Sequence, residues 1–595
     1  MFMSNGADDQ AQSQPDSRRD LKTIGWLLFW FAIALVIRFT HLASKPAWMD
    51  EVSTVLFSLG NSSRLILTGE VISLDQILRA LHVTPGATAK DVVVNLLSEN
   101  NHPPAYFVLA HWWMKLFPQA DGYASLWAAR ALPAIFGALA VPLAYVLAKL
   151  SFRNASFNRA RSIGLICAAL MAVSPFSVFL SQEARHYTLA ILMIMGSLCC
   201  FVMAVQAVNP DASDRHRPLG WPTVLAWVVI NTLSISVHYF CGIGICAEGL
   251  VLLVMLVRQL IKRGDSWRRS PWPKIYVTAA GSLAGALIWL PILLNFYGSP
   301  QTTYITSAQG SWKFWINPIA QSVVGWLYAI MSPITSIYGG WLGTAVVIIS
   351  CVLLLLLYVP WVAVYLGRSL QFQWAQPSLK TGLWAIGGFF IMGNLLFFVI
   401  SYGLGFDITR GHRYSFVYFP STLVLAGAAL ASYWPAFWQM SSEPKYLEQS
   451  SNFSFSAEAQ KFQRVKLLFL KRFISDRAFV ATVIIVGFLG AQVIVNDLSH
   501  LKFYKADRFV NLVRETSTLP VVIGIDATVS DQPSVIGNEI VSVAWEIKQQ
   551  LDTGVSIEKW VQEPKFVIAE RNTVTNSDPV IQLVNSLKAM PRPFD

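Results

Sequence analysis

The chain has 595 residues, of which 54% are hydrophobic and only 13% are charged, and its mean hydropathy is +0.48. Soluble domains typically carry about 25% charged residues, so this composition excludes a soluble globule and predicts a polytopic membrane protein. The net charge of +11 would suit a nucleic-acid partner, but Lys and Arg collected on cytoplasmic loops explain it more simply, and we expect no nucleic acid.

The chain opens with a polar stretch, 1–23, that we interpret as a disordered cytoplasmic N-terminus. The first apolar segment is long and lacks a small-residue cleavage site, which indicates a retained signal anchor with the N-terminus inside. The region 24–497 is predicted to be the transmembrane domain, with eleven segments that can span. They are approximately 24–42, 126–149, 163–181, 187–208, 222–238, 241–260, 274–297, 341–366, 380–403, 414–437 and 477–497.

Two further apolar stretches, 104–117 and 316–334, put the number of spans between eleven and thirteen. The first has about fourteen residues, fewer than the roughly twenty that a spanning helix needs. If both crossed the membrane, the basic clusters at 149–161 and 258–274 would face outside, against the positive-inside rule. We therefore expect about eleven spans and two interfacial or re-entrant helices on the outer face.

The outer face is then predicted to hold the loop 43–103, the loop 298–340 and the tail 498–595. The tail alternates helical patterns with two short apolar runs, Val521–Ile525 and Phe566–Ala569. Strands that alternate with helices indicate a small α/β domain. The predicted fold class is an all-α polytopic membrane protein with interfacial helices and a small C-terminal α/β extracytoplasmic domain.

Polar side chains gather at this outer face, where adjacent acids are costly unless they have a partner or a function. A carboxylate at such a boundary is a candidate general base. Two acids, two bases and a rigid Pro-Pro corner together predict a reaction centre. The clusters are Trp48-Met49-Asp50-Glu51, Asn101-His102-Pro103-Pro104-Ala105-Tyr106, Ser181-Gln182-Glu183-Ala184-Arg185-His186-Tyr187, Arg130 at the start of the second span, and His238-Tyr239 at the end of the fifth.

The order of these motifs is specific, although each motif alone is weak. An acidic pair, His-Pro-Pro-x-x-Tyr, Arg-x-Leu-Pro and Ser-Gln-Glu-Ala-Arg-x-Tyr together resemble the GT-C glycosyltransferases, and within them the family 39-like group. That group includes protein O-mannosyltransferases and the lipid A aminoarabinose transferase. The resemblance is strong over roughly 24–200, weaker over 201–420, where Arg413-Tyr414 resembles a late Arg-Tyr pair, and absent from the tail.

The resemblance implies an inner-membrane enzyme that transfers a sugar from a polyprenyl phosphate to a lipid, glycan or protein hydroxyl on the periplasmic side. It implies Asp50 as the general base, with inversion at the anomeric carbon, and Glu51 as its supporting neighbour. Some GT-C relatives use a divalent metal, so the resemblance leaves open whether Mg or Mn binds at Asp50 and Glu51, and it requires no cofactor. The expected donor-phosphate ligands are Arg185, Arg130 and His102; the expected substrate-binding residues are Glu183, Tyr187, Trp48, Tyr106, His238, Tyr239 and Arg413.

Each of these side chains also has a structural explanation that the sequence leaves open. Asp50 and Glu51 suit the first turn of a helix at 51–59, since acids favour helix N-termini. The remaining alternatives are an ion pair between Glu183 and Arg185, a helix-breaking role for His102, contact of Arg130 with lipid headgroups, and interfacial anchoring by His238 and Tyr239.

A lipid-linked sugar flippase or transporter is the alternative function. It would need polar residues near the bilayer midplane, where Glu248 in the sixth span is the main exception to an uncharged interior. A polymer ligase with a diphosphate donor is a second alternative, but its expected large late outer loop corresponds here to the short stretch 404–413. The position of the acids and arginines at a membrane edge favours the glycosyltransferase.

Overall fold

Helices dominate the structure of the protein, a computed structural model. The predicted fold class, a helical polytopic membrane protein with a small sheet, is confirmed. Parts of the predicted N-terminus, of the loop 298–340 and of the tail lie outside the described residues. The structure describes residues 17–209, 218–263, 271–296, 312–337, 340–434, 476–499, 505–517, 519–529, 538–552 and 563–572.

The helices are α1 Ser17–Phe39, α2 Met49–Ser58, α3 Leu74–Leu78, α4 Ala89–Glu99, α5 Ala105–Met114, α6 Leu126–Ser151, α7 Phe157–Val173, α8 Pro175–Ser181, α9 Tyr187–Val208, α10 Trp221–Val237, α11 Cys241–Arg263, α12 Trp272–Leu287, α13 Leu290–Asn295, α14 Trp312–Tyr328, α15 Gly340–Val352, α16 Val359–Trp374, α17 Pro377–Phe398, α18 Phe419–Ala431, α19 Asp476–Val495, α20 Ala506–Thr516 and α21 Asn538–Asp552. The strands are β1 Val71–Ile72, β2 Val522–Val529 and β3 Lys565–Asn572.

Seven helical segments in the described part of the chain are long and apolar enough to cross a membrane, or eight if one bent pair is a single span. The seven are α1, α6, α9, α11, the continuous α15–α16 segment, α17 and α19. The bent pair is α7 and α8. The other three predicted spans coincide with the shorter apolar helices α10 and α18 and with α12–α13, so the total of eleven stays a prediction.

The bent pair has an identifiable cause. Pro175 lacks an N–H group, and α7 and α8 meet at 53° around it, which frees carbonyl groups of the last turn of α7. The buried Arg38 of α1 donates to the freed carbonyls of Met171 and Ala172 at 3.0 Å each, and to Ser177 Oγ at 2.8 Å. This side chain therefore fixes α8, which leads directly into the Ser181–Tyr187 motif.

The two ambiguous stretches are both helical. The first is α5, with ten residues and a length of about 15 Å, half of what a bilayer needs. Its Tyr106, Phe107 and Met114 are buried among residues of the first outer loop and the tail. The second is α14, which has 17 residues. The interfacial location of both helices stays a prediction.

The sheet of the tail includes a third strand from the loop 43–103. Strand β3 lies between β2, with which it is parallel, and β1, with which it is antiparallel. Because β1 belongs to the loop 43–103, the pairs Val71–Val567 and Ile72–Phe566 join this loop to the tail. Helix α21 also packs against α2 and α3. Loop 43–103, α5 and the described tail thus share one hydrophobic core, which we call the outer unit.

Candidate active site

The acidic pair begins helix α2, which lies in the outer unit. The Glu51 carboxylate accepts a hydrogen bond from the Trp48 N–H at 3.3 Å, as in a capping box, so the predicted N-terminal cap is real. Successive residues of a helix point about 100° apart. Glu51 consequently faces the protein interior and is fully buried, whereas the Asp50 side chain is 27% exposed.

Glu51 and Arg130 form a buried, bidentate ion pair. Arg130 Nε and Nη2 donate to the two carboxylate oxygens at 2.8 Å each. The remaining N–H groups of Arg130 donate to the carbonyls of Leu42, Lys45 and Pro46 at 2.8–3.0 Å. All five donors of this guanidinium are used and none is exposed, so its predicted role as a phosphate ligand does not fit the geometry. The pair instead fixes the turn that leads into α2.

Arg185 lies against the Asp50 side of α2. Its Nη1 donates to the Asp50 carbonyl at 3.0 Å and to Thr54 Oγ1 at 2.7 Å, and its Nη2 lies 3.8 Å from Asp50 Oδ2. Nη2 also donates to His102 Nε2 at 3.0 Å, while His102 Nδ1–H donates to Asn100 Oδ1 at 2.6 Å. Both ring nitrogens of His102 therefore have hydrogen-bond partners within the protein. The predicted hydrogen bond from His102 to the donor phosphate does not fit this arrangement, in which His102 orients Arg185.

Arg413 completes the surroundings of Asp50. It follows α17 in a short 3-10 turn, and its Nη1 lies 3.3 Å from Asp50 Oδ2. The guanidinium carbon lies 4.3 Å from the ring centre of Trp48, a cation–π distance. Burial alone would lower the pKa of Arg413, but Tyr187 and Asp50 outweigh burial and raise this pKa. Trp48 is buried beneath a cation and does not offer a free face to a sugar.

Three histidines meet beside Arg185. The His186 ring centre lies 4.7 Å from that of His238 and 5.4 Å from that of His102. Tyr187 and Tyr106 flank the same imidazole at 4.8 and 6.0 Å. The structure thus brings the predicted residues Tyr106, Tyr187 and His238 together around His186, a residue of the motif to which the sequence assigned no role.

All three imidazoles are held neutral by the same causes. Burial, followed by the positive charge of Arg185 and Arg413, keeps the pKa of His102 well below its usual range. Burial is also the largest cause that lowers the pKa of His186 and of His238. At neutral pH each ring therefore has one N–H donor and one acceptor nitrogen.

Two predicted residues lie away from this cluster. Tyr239 directs its ring towards Trp289, at a centroid distance of 6.2 Å. Glu183 lies in the same turn as Arg185 and lines a small pocket with Lys45 and Gln182. The field of Glu183 still reaches the site, since it contributes to the raised pKa of Arg413.

The acidic pair does not fit a divalent metal. Both oxygens of Glu51 are bound by Arg130, and one of them also accepts from the Ala184 N–H at 2.7 Å. The Asp50 carboxylate faces two guanidinium groups, whose charge opposes a bound dication. Within the described residues, no group of three or more His, Cys, Asp or Glu side chains has the geometry to hold a metal.

Sequence reasoning missed three polar residues that organise the site. Thr54 lies one helical turn after Asp50, Asn100 precedes the His-Pro-Pro motif, and His186 is the variable position of Glu-Ala-Arg-x-Tyr. The helical spacing between Asp50 and Thr54 was a usable signal, because residues four apart share a helix face. Nothing in the sequence indicated that Asn100 would bind an imidazole two residues later.

No protein-family model and no curated protein matches this sequence. Among solved structures, the chain is similar to ArnT from Cupriavidus metallidurans in the apo state, at 14% identity and a TM-score of 0.42, over 89% of this chain and 88% of that chain. The same protein bound to undecaprenyl phosphate is similar over 93% and 90%, at 14% identity and a TM-score of 0.41.

The chain is also similar to the archaeal oligosaccharyltransferase AglB from Archaeoglobus fulgidus in complex with an inhibitory peptide and a dolichol-phosphate. The identity is 11% and the TM-score 0.41, over 88% of this chain and 64% of that chain, so the chain spans less than two thirds of AglB.

Proposed function

We propose that the protein is a GT-C glycosyltransferase of the family 39-like group, which transfers a sugar from a polyprenyl-phosphate-linked donor to an extracytoplasmic hydroxyl. One observation carries this proposal. A single partly exposed carboxylate, Asp50, lies between two arginines, Arg185 and Arg413, at the boundary between the membrane helices and the outer unit. A base beside two phosphate-binding cations is what sugar transfer from a lipid phosphate requires.

In the proposed reaction Asp50 takes the proton of the acceptor hydroxyl as the hydroxyl oxygen bonds to the anomeric carbon. The bond from that carbon to the phosphate oxygen breaks, and the polyprenyl phosphate leaves with the electron pair. Direct displacement inverts the anomeric centre. The exposure of Asp50, against the complete burial of Glu51, supports Asp50 as the base.

Arg413 and Arg185 are the proposed ligands of the leaving phosphate. Guanidinium groups match phosphate oxygens with paired N–H donors. The side chain of Arg413 is 17% exposed, whereas that of Arg185 is only 3% exposed and is bound by Thr54 and His102. Arg413 is therefore the cation that can exchange its contact with Asp50 for a donor phosphate, while Arg185 is a fixed second ligand.

The location proposed for this chemistry is the periplasmic side of the inner membrane, with a lipid, glycan or protein as acceptor. The flippase alternative gains no support from Glu248. This carboxylate accepts from Trp227 Nε1 at 3.2 Å and lies 2.9 Å from Ser197 Oγ, and the same hydroxyl oxygen lies 2.7 Å from Asn231 Oδ1. A carboxylate enclosed by neighbouring helices supports a packing role rather than a translocation path.

The test is Asp50→Asn in purified protein, assayed for release of polyprenyl phosphate from a polyprenyl-phospho-sugar. Loss of a general base is expected to lower the rate about 10²- to 10⁴-fold. Asp91→Asn is the matched control, because Asp91 is a helix-capping acid of the same outer unit and takes no part in the reaction. A rate for Asp50→Asn within about tenfold of the wild-type rate would show that Asp50 is not the general base.

A further inference from the structure

Within the described part of the chain, His186 differs from the other two histidines of the cluster because it has no hydrogen-bond partner. It is 0% exposed, and neither ring nitrogen has a hydrogen-bond partner among the described residues. His102, by contrast, bonds at both nitrogens, and His238 Nδ1 accepts from the Phe240 N–H at 3.0 Å. A buried polar atom left without a partner is unfavourable, so His186 favours an occupant that the described residues do not supply.

The surroundings restrict what this occupant can be. Arg185 is the preceding residue and its guanidinium binds the neighbouring His102, so a cation at His186 would be repelled. An apolar group would leave both ring nitrogens without partners. A phosphate accepts hydrogen bonds only, whereas a neutral imidazole offers one donor and one acceptor.

A hydroxyl group meets all of these conditions, because it donates and accepts at the same atom. His238 offers a second hydrogen-bond donor for a hydroxyl group. Its Nδ1 already accepts from the Phe240 N–H, so the proton of the neutral ring is on Nε2. Aromatic rings of Tyr187, Phe416 and Tyr414 lie within 6.2 Å of the His186 or His238 ring centres. Neutral polar groups among aromatic faces are typical of a site for a polyhydroxylated ligand.

We propose that His186 and His238 bind hydroxyl groups of the donor sugar, while Arg413 and Arg185 hold its phosphate. This inference rests on the proposed function and assigns the two halves of the donor to different side chains. His186 thereby recognises the sugar, and the polyprenyl phosphate without a sugar binds independently of it.

The experiment compares two probes on detergent-purified protein. One is undecaprenyl phosphate; the other is the tightest binder from a panel of undecaprenyl-phosphate-linked hexoses and pentoses. His186→Phe keeps an aromatic ring at this position and removes both nitrogens. We expect this variant to bind the sugar-bearing probe about tenfold more weakly and to bind undecaprenyl phosphate with unchanged affinity. His186→Gln keeps a hydrogen-bond donor and an acceptor, so it should restore part of the lost affinity for the sugar-bearing probe.

His111→Phe is the control, since His111 is a second buried histidine that lies outside the cluster. Equal binding of both probes to wild type and His186→Phe, with unchanged unfolding temperatures, would overturn the sugar-hydroxyl assignment and leave the proposed function standing. If the wild type binds neither probe, the proposed function fails and this inference fails with it. Equal weakening of both probes would show that His186 acts on the phosphate or on the fold, and would also overturn it.

Discussion

At the scale of single residues, the two adjacent acids have different environments because the start of α2 turns them apart. Glu51 points inward to Arg130, and Asp50 points to Arg185 and Arg413. The same division separates the arginines: Arg130 is saturated by protein groups, and Arg413 is partly exposed. We therefore expect the Glu51–Arg130 pair to determine the stability of the fold. Asp50, with Arg185 and Arg413, is expected to determine the activity.

Glu51→Gln should be strongly destabilising, because it leaves the buried Arg130 guanidinium without its counter-charge. Loss of one partner from a buried pair costs about 3–5 kcal/mol. The measurement is the unfolding temperature in detergent. Arg64→Gln is the comparison, since Arg64 is 69% exposed and lies 3.9 Å from Glu99, and an exposed pair contributes at most about 1 kcal/mol. Similar unfolding temperatures for the two variants would contradict this division.

The three histidines should make the protein less stable in acid. Their pKa values in the folded protein lie below the usual 6.5, so the unfolded chain binds more protons in the interval between the two values. The contribution of the neutral histidines to the free energy of unfolding is fully present above pH 6.5. It falls as the pH drops below 6.5 and stops falling once the pH is below the pKa of the histidines in the folded protein.

The measurement is the unfolding temperature from about pH 8 to about pH 5, for the wild type and for His186→Phe. The variant should lose less stability over this interval, because one proton-binding site is gone. Identical pH profiles for the two proteins would show that His186 does not contribute.

The motifs predicted most of the site but not the orientation of its members. Asp50, Arg185, Arg413, Tyr187 and His238 were all expected and do lie together. Arg130 was assigned to the phosphate because the sequence shows a charge near a membrane edge and does not show which carbonyls will surround it. That distinction depends on tertiary hydrogen bonds, such as those from Arg130 to Leu42 and Lys45.

At the scale of helices, α10 and α12 approach each other closely over small residues. A Cβ atom at Gly285 would lie 2.3 Å from Thr232 Oγ1, and one at Gly281 would lie 2.8 Å from Val228. Small residues four apart on one helix allow such backbone approach within a membrane. This contact holds α10, which ends at Val237 directly before His238, and so helps to place the histidine cluster.

Gly285→Ala should therefore separate α10 from α12. Overpacking of this kind costs about 1–3 kcal/mol, which we expect as a lower unfolding temperature. Gly249→Ala is the matched control, because nothing lies within 4 Å of a Cβ built at Gly249 in α11. An unfolding temperature of Gly285→Ala equal to or above that of the control would show that the helices adjust at no cost.

Hydropathy predicted the positions of the helices well, since each of the eleven predicted spans coincides with helical structure. It did not predict that the third span bends at Pro175, nor that Arg38 would satisfy the carbonyls at the bend. Arg38 and Pro175 belong to different helices, and only their packing reveals the connection.

At the scale of the whole molecule, the outer unit depends on the tail. Helix α21 packs on α2, and its Ser542 hydroxyl donates to the carbonyl of Ala47, just before the acidic pair. Local patterns predicted the helices and strands of the tail. They could not predict the pairing of β3 with β1, because the two strands lie at opposite ends of the chain and β1 has only two residues.

Trp545→Ala should loosen the first outer loop although the two are far apart in sequence. Trp545 is 4% exposed in the core of the outer unit, and its truncation costs about 3–5 kcal/mol. The measurement is limited proteolysis, with new cleavage expected within residues 59–103. Phe509→Ala is the control, since Phe509 is in the same tail and is 43% exposed. A first loop that stays as resistant as in the control would show that the tail does not support it.

The pairing of β1 with β3 also sets an order for biosynthesis. The segment with the acidic pair emerges early, yet β3 and α21 follow the last membrane helix, α19. The outer unit can therefore close only after β3 and α21 have been synthesised, since non-local contacts form only after both partners are present. Until then helix α2, which carries Asp50, lacks both the packing of α21 and the hydrogen bond from Ser542 to the Ala47 carbonyl.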